Sequence, residues 1–430
     1  MKYFFFILLL LLMMTPLSAR AEGPILVDTG GSGGPVIWQN GIVHINLESG
    51  PAGKLGQLSN ADAAALVREL FDDWKNVTID GVSTVDLTVD EGTPLGPVDT
   101  SNMNDFFTYC PPASPCPTDG PPFVSGSART GQSPILFDDD GSMTDAVEGA
   151  GASRSILGFA GPRVVERSDG VLYITEGQAI LNGRFINGVS STSDPEVTIG
   201  QFKGAIFHEI GHLIGVDHTQ VNIGSVIKYL GGDVSEVDAI PTMLPLFIDG
   251  AAQLSPHFDD KVAVSSLYPS SAFGTITCEL QGKVFRADGK TELQGVNVIA
   301  SNVVDPLGED TSFVSGSFYT GVSNNCDAVA GDFILSGLRP GQQYTLSVEP
   351  ISQSFTGGSS IEPCDPPQKD FSKGTAAGTF SCASAGEVIV QGTDATTQIV
   401  TTKAATTPAA PATPPPSDTQ KSNGGCALIP

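Results

Sequence analysis

Residues 208–218 read His-Glu-Ile-Gly-His-Leu-Ile-Gly-Val-Asp-His, so three of the chain's five histidines fall in one pattern, H-E-x-x-H-x-x-G-x-x-H. Residues four apart in an α-helix stand one turn above each other, so His208 and His212 can present their imidazoles to a single ion. Gly215 can take the left-handed conformation that ends a helix and turns the chain, bringing His218 back as a third ligand. Three neutral imidazoles suit Zn2+ and leave a fourth position for water, the arrangement of a catalytic rather than a structural zinc site. Water bound in this way drops from a pKa of 15.7 to about 7. Glu209 directly follows the first ligand, points beside the ion without ligating it, and can serve as general base and then as acid towards a leaving amine. His44 and His257 stand alone and read as ordinary surface or partly buried residues.

Phe202, Ile206, Ile210 and Leu213 form a stripe on another side of the same segment, which gives the predicted helix a core face and a metal face. Upstream, Val36 to Ile45 reads as a strand. Ser59 or Asn60 can cap a helix carrying Leu66, Val67, Leu70, Phe71 and Trp74, and Val82 to Val89 alternates as a second strand. Strands mixed with helices predict an α/β or α+β domain. Downstream, Ser255 is expected to cap a last helix opened by Pro256, with Asp259 and Asp260 favouring its positive end. From Gly274 helical periodicity gives way to short alternating runs such as Gly295–Val298 and Tyr344–Val348, separated by turn signals at Asp288-Gly289 and Arg339-Pro340-Gly341. These predict a small β-sandwich over 274–400.

With these motifs in view, the first domain resembles the metzincin zinc metallopeptidases, and within them the matrixin group. Pro241-Thr242-Met243-Leu244-Pro245, beginning soon after His218, is similar to the Met-turn that underlies the metal in that clan. Pro245 stands where astacin-like members carry a tyrosine ligand, so none is expected here. Ser255–Asp260 through Leu267-Tyr268-Pro269 resembles the last matrixin helix, whereas Thr219 stands where matrixins usually carry serine. The resemblance is closest over 200–270 and implies an α+β metzincin-like catalytic domain, a twisted sheet with an active-site helix, over 22–271. It also allows calcium as a second cofactor, for which Phe137-Asp138-Asp139-Asp140-Gly141-Ser142 is the candidate loop, since hard cations choose clustered carboxylates; the alternative reading of this loop is an acidic surface turn. The all-β domain resembles the carboxypeptidase regulatory-like, transthyretin-like module, on Gly282–Val284, Gly295–Val298, Gly331–Phe333 and Tyr344. In that family the module is mostly accessory. Because every ligand precedes Ala272, residues 22–271 are expected to cleave without it.

The chain starts with an apolar stretch from Phe4 to Met14, broken by Thr15 and Pro16, and then the small-x-small site Ala19-Arg20-Ala21. A run this short predicts a cleaved signal peptide over 1–21 rather than an anchor, and hence a secreted, extracellular protein. Loss of Lys2 and Arg20 leaves 19 basic against 47 acidic residues, a formal charge of −28 that argues against a nucleic-acid partner. In an oxidising compartment Cys110 is expected to pair with Cys116, while Cys278, Cys326, Cys364 and Cys382 allow three pairings and Cys426 is left over. Residues 401–430, rich in Pro, Thr and Ala, are expected to form a disordered tail. The Gly-Gly-Cys near the end loosely resembles bacterial surface-sorting tags, which makes cell-surface or extracellular-matrix attachment through this region an expectation. The function predicted is a secreted zinc-dependent endopeptidase acting on protein or peptide substrates. Its rivals are a surface binding protein with a structural zinc site and a non-peptidase zinc hydrolase.

Overall fold

The computed structural model describes residues 23–28, 33–50, 53–106, 131–190, 196–248, 252–286, 290–318, 331–351, 373–375, 378–381, 388–391 and 397–402. The leader expected over 1–21, the tail from 403 and every cysteine except Cys278 lie outside these residues; Cys278 is disulfide-bonded. The fold is a mixture of sheets and helices with one large core before residue 270 and another after residue 278.

The first core is built on a mostly parallel sheet of β1 (Ile37–Trp38), β2 (Ile42–Leu47), β5 (Thr88–Glu91), β6 (Pro134–Asp138) and β8 (Val171–Asn182), in the order β1-β8-β6-β2-β5. The long strand β7 (Gly158–Ser168) runs antiparallel along β8. Both faces of the sheet are covered, and β6 is accordingly apolar through Ile135, Leu136 and Phe137. Ile135 and Phe137 join the large core, while Leu136 joins a smaller one closed by Met143 and Val147 of helix α2 (Ser142–Glu148).

Helix α1 (Asn60–Lys75) starts at Ser59, whose Oγ accepts the Asp62 N–H, and buries Leu66, Val67, Leu70, Phe71 and Trp74. It packs against α3 (Ile199–Ile214), which carries the histidine motif. There the Trp74 ring stacks on Phe207 at 4.7 Å, and Trp74 Nε1 donates to Phe207 O at 2.9 Å. Truncating such a buried tryptophan costs about 3–5 kcal/mol.

Three expectations from sequence are corrected. Val36–Ile45 is not one strand: it breaks at Gln39–Gly41, where Asn40 and Gly41 are both left-handed. A Cβ on Gly41 would lie 2.6 Å from Asp86 O, so that kink needs its glycine. Val82–Val89 is likewise split, Val82–Ser83 (β4) closing a hairpin on Thr78–Ile79 (β3) and Thr88–Glu91 joining the main sheet. The last helix of this domain, α5 (Phe258–Leu267), is capped by His257 rather than Ser255, with Asp260 reaching back to complete a capping box. His257 is buried there, because its Nε2 faces Leu307 O at 2.7 Å in the second domain.

After a short helix α6 (Phe273–Ile276), the second domain is a sandwich of two four-stranded sheets. One contains β10 (Val296–Asn302), β11 (Asp310–Val314), β13 (Tyr344–Pro350) and β14 (Gly374–Thr375). The other contains β9 (Cys278–Arg286), β12 (Asp332–Leu338), β15 (Val388–Gln391) and β16 (Thr397–Thr402). Val296, Val298 and Ala300 alternate inwards against Val284, Phe333 and Leu335, as the period-two pattern requires. Because β16 reaches Thr402, the domain runs two residues into the segment expected to be tail.

The outer face of the β10-β11-β13 sheet is largely covered, with Ser301, Thr345 and Ser347 half-buried. Asn297, Asp310, Ser312 and Glu349 are buried there against the first domain, beneath α5 and the region of α4 (Ile223–Leu230). Val226, Ile240 and Leu244 of the first domain share a cluster with Val314 and Ile351 of the second. Among the described residues no helix is long and apolar enough to cross a membrane.

Candidate metal centre

Helix α3 is held at both ends and along one side. Thr198 and Gln201 form a capping box at its start. At its end Gly215 has φ 100°, with the Gly215 and Val216 N–H groups reaching back to His212 O and Gly211 O in a Schellman stop. Two carbonyls of the last turn find distant donors: Trp38 Nε1 donates to Leu213 O at 2.8 Å, and Tyr268 Oη donates to Ile214 O at 2.5 Å. Segment 23–25 runs antiparallel to 215–217, pinning the turn that delivers His218.

The three histidines converge as the motif predicts. Their Nε2 atoms form a nearly equilateral triangle, with sides of 3.0 Å between His212 and His208, 3.0 Å between His212 and His218, and 3.1 Å between His208 and His218. His208 Nδ1 lies 2.7 Å from Thr242 O, and His212 Nδ1 lies 2.9 Å from Val216 O. A carbonyl can only accept, so these contacts fix the proton on Nδ1 and leave a lone pair on each Nε2. Burial holds His208 down to about 4, and burial together with the neighbouring imidazoles holds His212 and His218 well below the usual histidine range.

Converging lone pairs on neutral rings repel unless a cation lies among them. Nitrogens this close span a circle of roughly 1.8 Å radius, so an ion about 2.0–2.1 Å from each, the usual Zn–N distance, could be held by all three. The donor set therefore fits Zn2+. Among the described residues it is the only group of three or more His, Cys, Asp or Glu side chains that converges in this way.

Glu209 is not among the three converging side chains. Its carboxyl is raised well above the usual range by burial, with the Ala160 N–H on β7 pulling slightly the other way. Beyond that long contact with the Ala160 N–H, neither oxygen has a partner. An unpaired buried carboxyl is costly, and such groups cluster where chemistry is done.

Met243 lies under the helix at its closest approach. A Cβ added to Gly211 would come within 2.4 Å of Met243 Sδ, so the glycine between the two helical histidines is what lets the methionine turn pack there. The turn is fixed by α5: Asp260 accepts from Thr242 N at 2.9 Å and Met243 N at 3.0 Å. Motif reading picked out the three histidines that converge, Glu209 and Met243. It did not foresee the supporting contacts of Trp38, Trp74, Thr242 and Tyr268, and it gave Asp259 and Asp260 only a dipole role, because their partners lie tens or hundreds of residues away.

In the acidic loop 137–142 the carboxylates of Asp138 and Asp140 are engaged locally. Asp138 is buried and accepts from Met143 N, Thr144 N and Thr144 Oγ1, while Asp140 accepts from Ser142 N, so both carboxylates serve the start of α2. His44 is exposed and pairs with Asp90. No family model, curated protein or solved structure matches this chain.

Proposed function

We propose that the chain is a zinc-dependent endopeptidase of metzincin type, with His208, His212 and His218 as ligands, Glu209 as catalytic base and Met243 as the supporting turn. The observation that carries this reading is the convergence of three imidazole nitrogens beside a buried carboxyl that no side chain pairs. Bound zinc supplies Lewis-acid polarisation of the scissile carbonyl and lowers the pKa of water towards neutrality. The chain's own groups do the rest. His208 and His212 keep their lone pairs aimed inwards because Thr242 O and Val216 O hold their Nδ1 protons. Glu209 accepts the proton of the attacking water and returns it to the departing amine, a role suited to a carboxyl that burial makes more basic. The signal-like leader and acidic composition agree with action outside the cell on protein or peptide substrates.

A second reading, a zinc site that only stabilises, draws on burial: the three histidines and Glu209 are each 1–2 % exposed. Structural sites are closed by four protein ligands, however, and they need no carboxyl beside the first ligand. The test is to measure zinc content and cleavage of a broad peptide library with residues 22–430. About one zinc per chain, with cleavage abolished by a chelator and restored by zinc, is expected. A zinc-loaded protein that cleaves nothing in the library sinks the peptidase reading.

A further inference from the structure

The residue after the third ligand is tied to the second domain through one carboxylate. Thr219 Oγ1 donates to Asp259 Oδ2 at 2.8 Å, and Ser312 on β11 donates to the same carboxylate twice, from Oγ to Oδ2 at 2.9 Å and from N to Oδ1 at 2.7 Å. Thr219 is fixed further by its own N–H to Met243 O at 3.0 Å, and its Oγ1 accepts the Val221 N–H at 3.1 Å. All three partners are buried. The neighbouring Asp260 holds the methionine turn, whose Thr242 O faces His208 Nδ1. Two consecutive aspartates of α5 thus brace both ends of the ligand set, and one of them takes two of its three hydrogen bonds from the sandwich.

We infer that Asp259 is a positioning residue for the third metal ligand and that the sandwich, through Ser312, is part of the metal centre rather than a detachable accessory. This rests on the zinc reading of the three histidines. A buried carboxylate needs its donors, and without Ser312 it must either recruit water or pull Thr219 out of place, which moves His218 relative to the two helical ligands. Groups that orient ligands from behind commonly account for about 10- to 100-fold in metal affinity.

The test uses the full mature chain, 22–430, and reads zinc affinity by chelator competition rather than activity. Asp259→Asn keeps the shape but replaces one accepting oxygen by a donor. It is expected to weaken zinc binding about tenfold, the low end of that range because the residue acts through Thr219. Ser312→Ala and Thr219→Ala should each shift zinc in the same direction, and together by less than the product of their separate effects, because they share one carboxylate. Thr219→Ser keeps the hydroxyl and should bind zinc as wild type does. Asp80→Asn weakens the Arg339–Asp80 ion pair across the same junction, leaves Arg339 stacked on Phe258 of α5 and removes no donor to Asp259, so it serves as the control and should leave zinc unchanged. Wild-type affinity in folded Asp259→Asn and Ser312→Ala overturns the inference, and so does an equal loss in Asp80→Asn. Failure of the peptidase reading looks different: wild-type protein that binds zinc tightly but cleaves no peptide.

Discussion

At the scale of single residues, the site was legible because its chemistry is compressed into one helical turn and a loop. His208, His212 and His218 are ten residues apart at most, and helix periodicity alone brings two of them together. What holds them was not legible, because a backbone carbonyl such as Thr242 O or Val216 O carries no residue-type signal. His212→Ala should therefore lose both the metal and the activity, with zinc per chain falling towards zero by atomic absorption. Gly211→Ala is a subtler probe. The new methyl meets Met243 Sδ at 2.4 Å and Trp74 Cζ2 at 3.1 Å, an overpacking expected to cost about 1–3 kcal/mol, read as a lower denaturant midpoint. An unchanged midpoint would mean that the methionine turn does not press on the helix.

At the scale of elements, the strongly periodic helices α1 and α3 were readable, down to Ser59 as a cap and Gly215 as a stop. The broken strand at Gln39–Gly41 was not, since the kink is set by close approach to Asp86 O rather than by local pattern. The start of α5 was misplaced for a similar reason: His257 caps it because the second domain buries that histidine, and a sequence window cannot see that burial. The end of α3 depends on one distant hydroxyl. Tyr268 Oη donates to Ile214 O and accepts the Trp38 N–H at 3.2 Å, so Tyr268→Phe leaves two buried backbone groups unpaired. The expected cost is about 1–3 kcal/mol for an orphaned buried group, measured by equilibrium urea unfolding with zinc kept saturating.

At the scale of the whole molecule, the two-domain division was visible as a change from helical to alternating periodicity, but the docking of the domains was not. Asn297, Asp310, Ser312 and Glu349 look like solvent-facing polar positions of a sandwich, yet they are buried against the first domain. The expectation that residues 22–271 suffice is revised on this ground. A chain ending before Gly274 exposes Val226, Ile240 and Leu244 and strips the Ser312 donors from Asp259, so it should melt lower and hold zinc more weakly than the full chain. The junction also titrates. Asp310 is held well above 3.8 by burial and by Asp259 and Asp260, with His257 Nδ1 3.5 Å away and Asn222 also facing it. The folded chain therefore binds that proton more tightly than the unfolded chain does, and ionisation of Asp310 costs stability as pH rises from about 4 through its folded value. Asp310→Asn does not titrate. Its melting temperature relative to wild type should increase across that window and level off below about pH 4; a difference that does not vary with pH would contradict this.

The most direct measurement is peptide cleavage by zinc-loaded Glu209→Ala beside the wild type. The substitution removes the carboxyl and leaves all three histidines in place, so zinc should remain near one per chain. Cleavage should fall by at least about a hundredfold, the low end of what a positioned acid–base group contributes. Wild-type cleavage by a zinc-loaded Glu209→Ala protein would contradict the account at its centre.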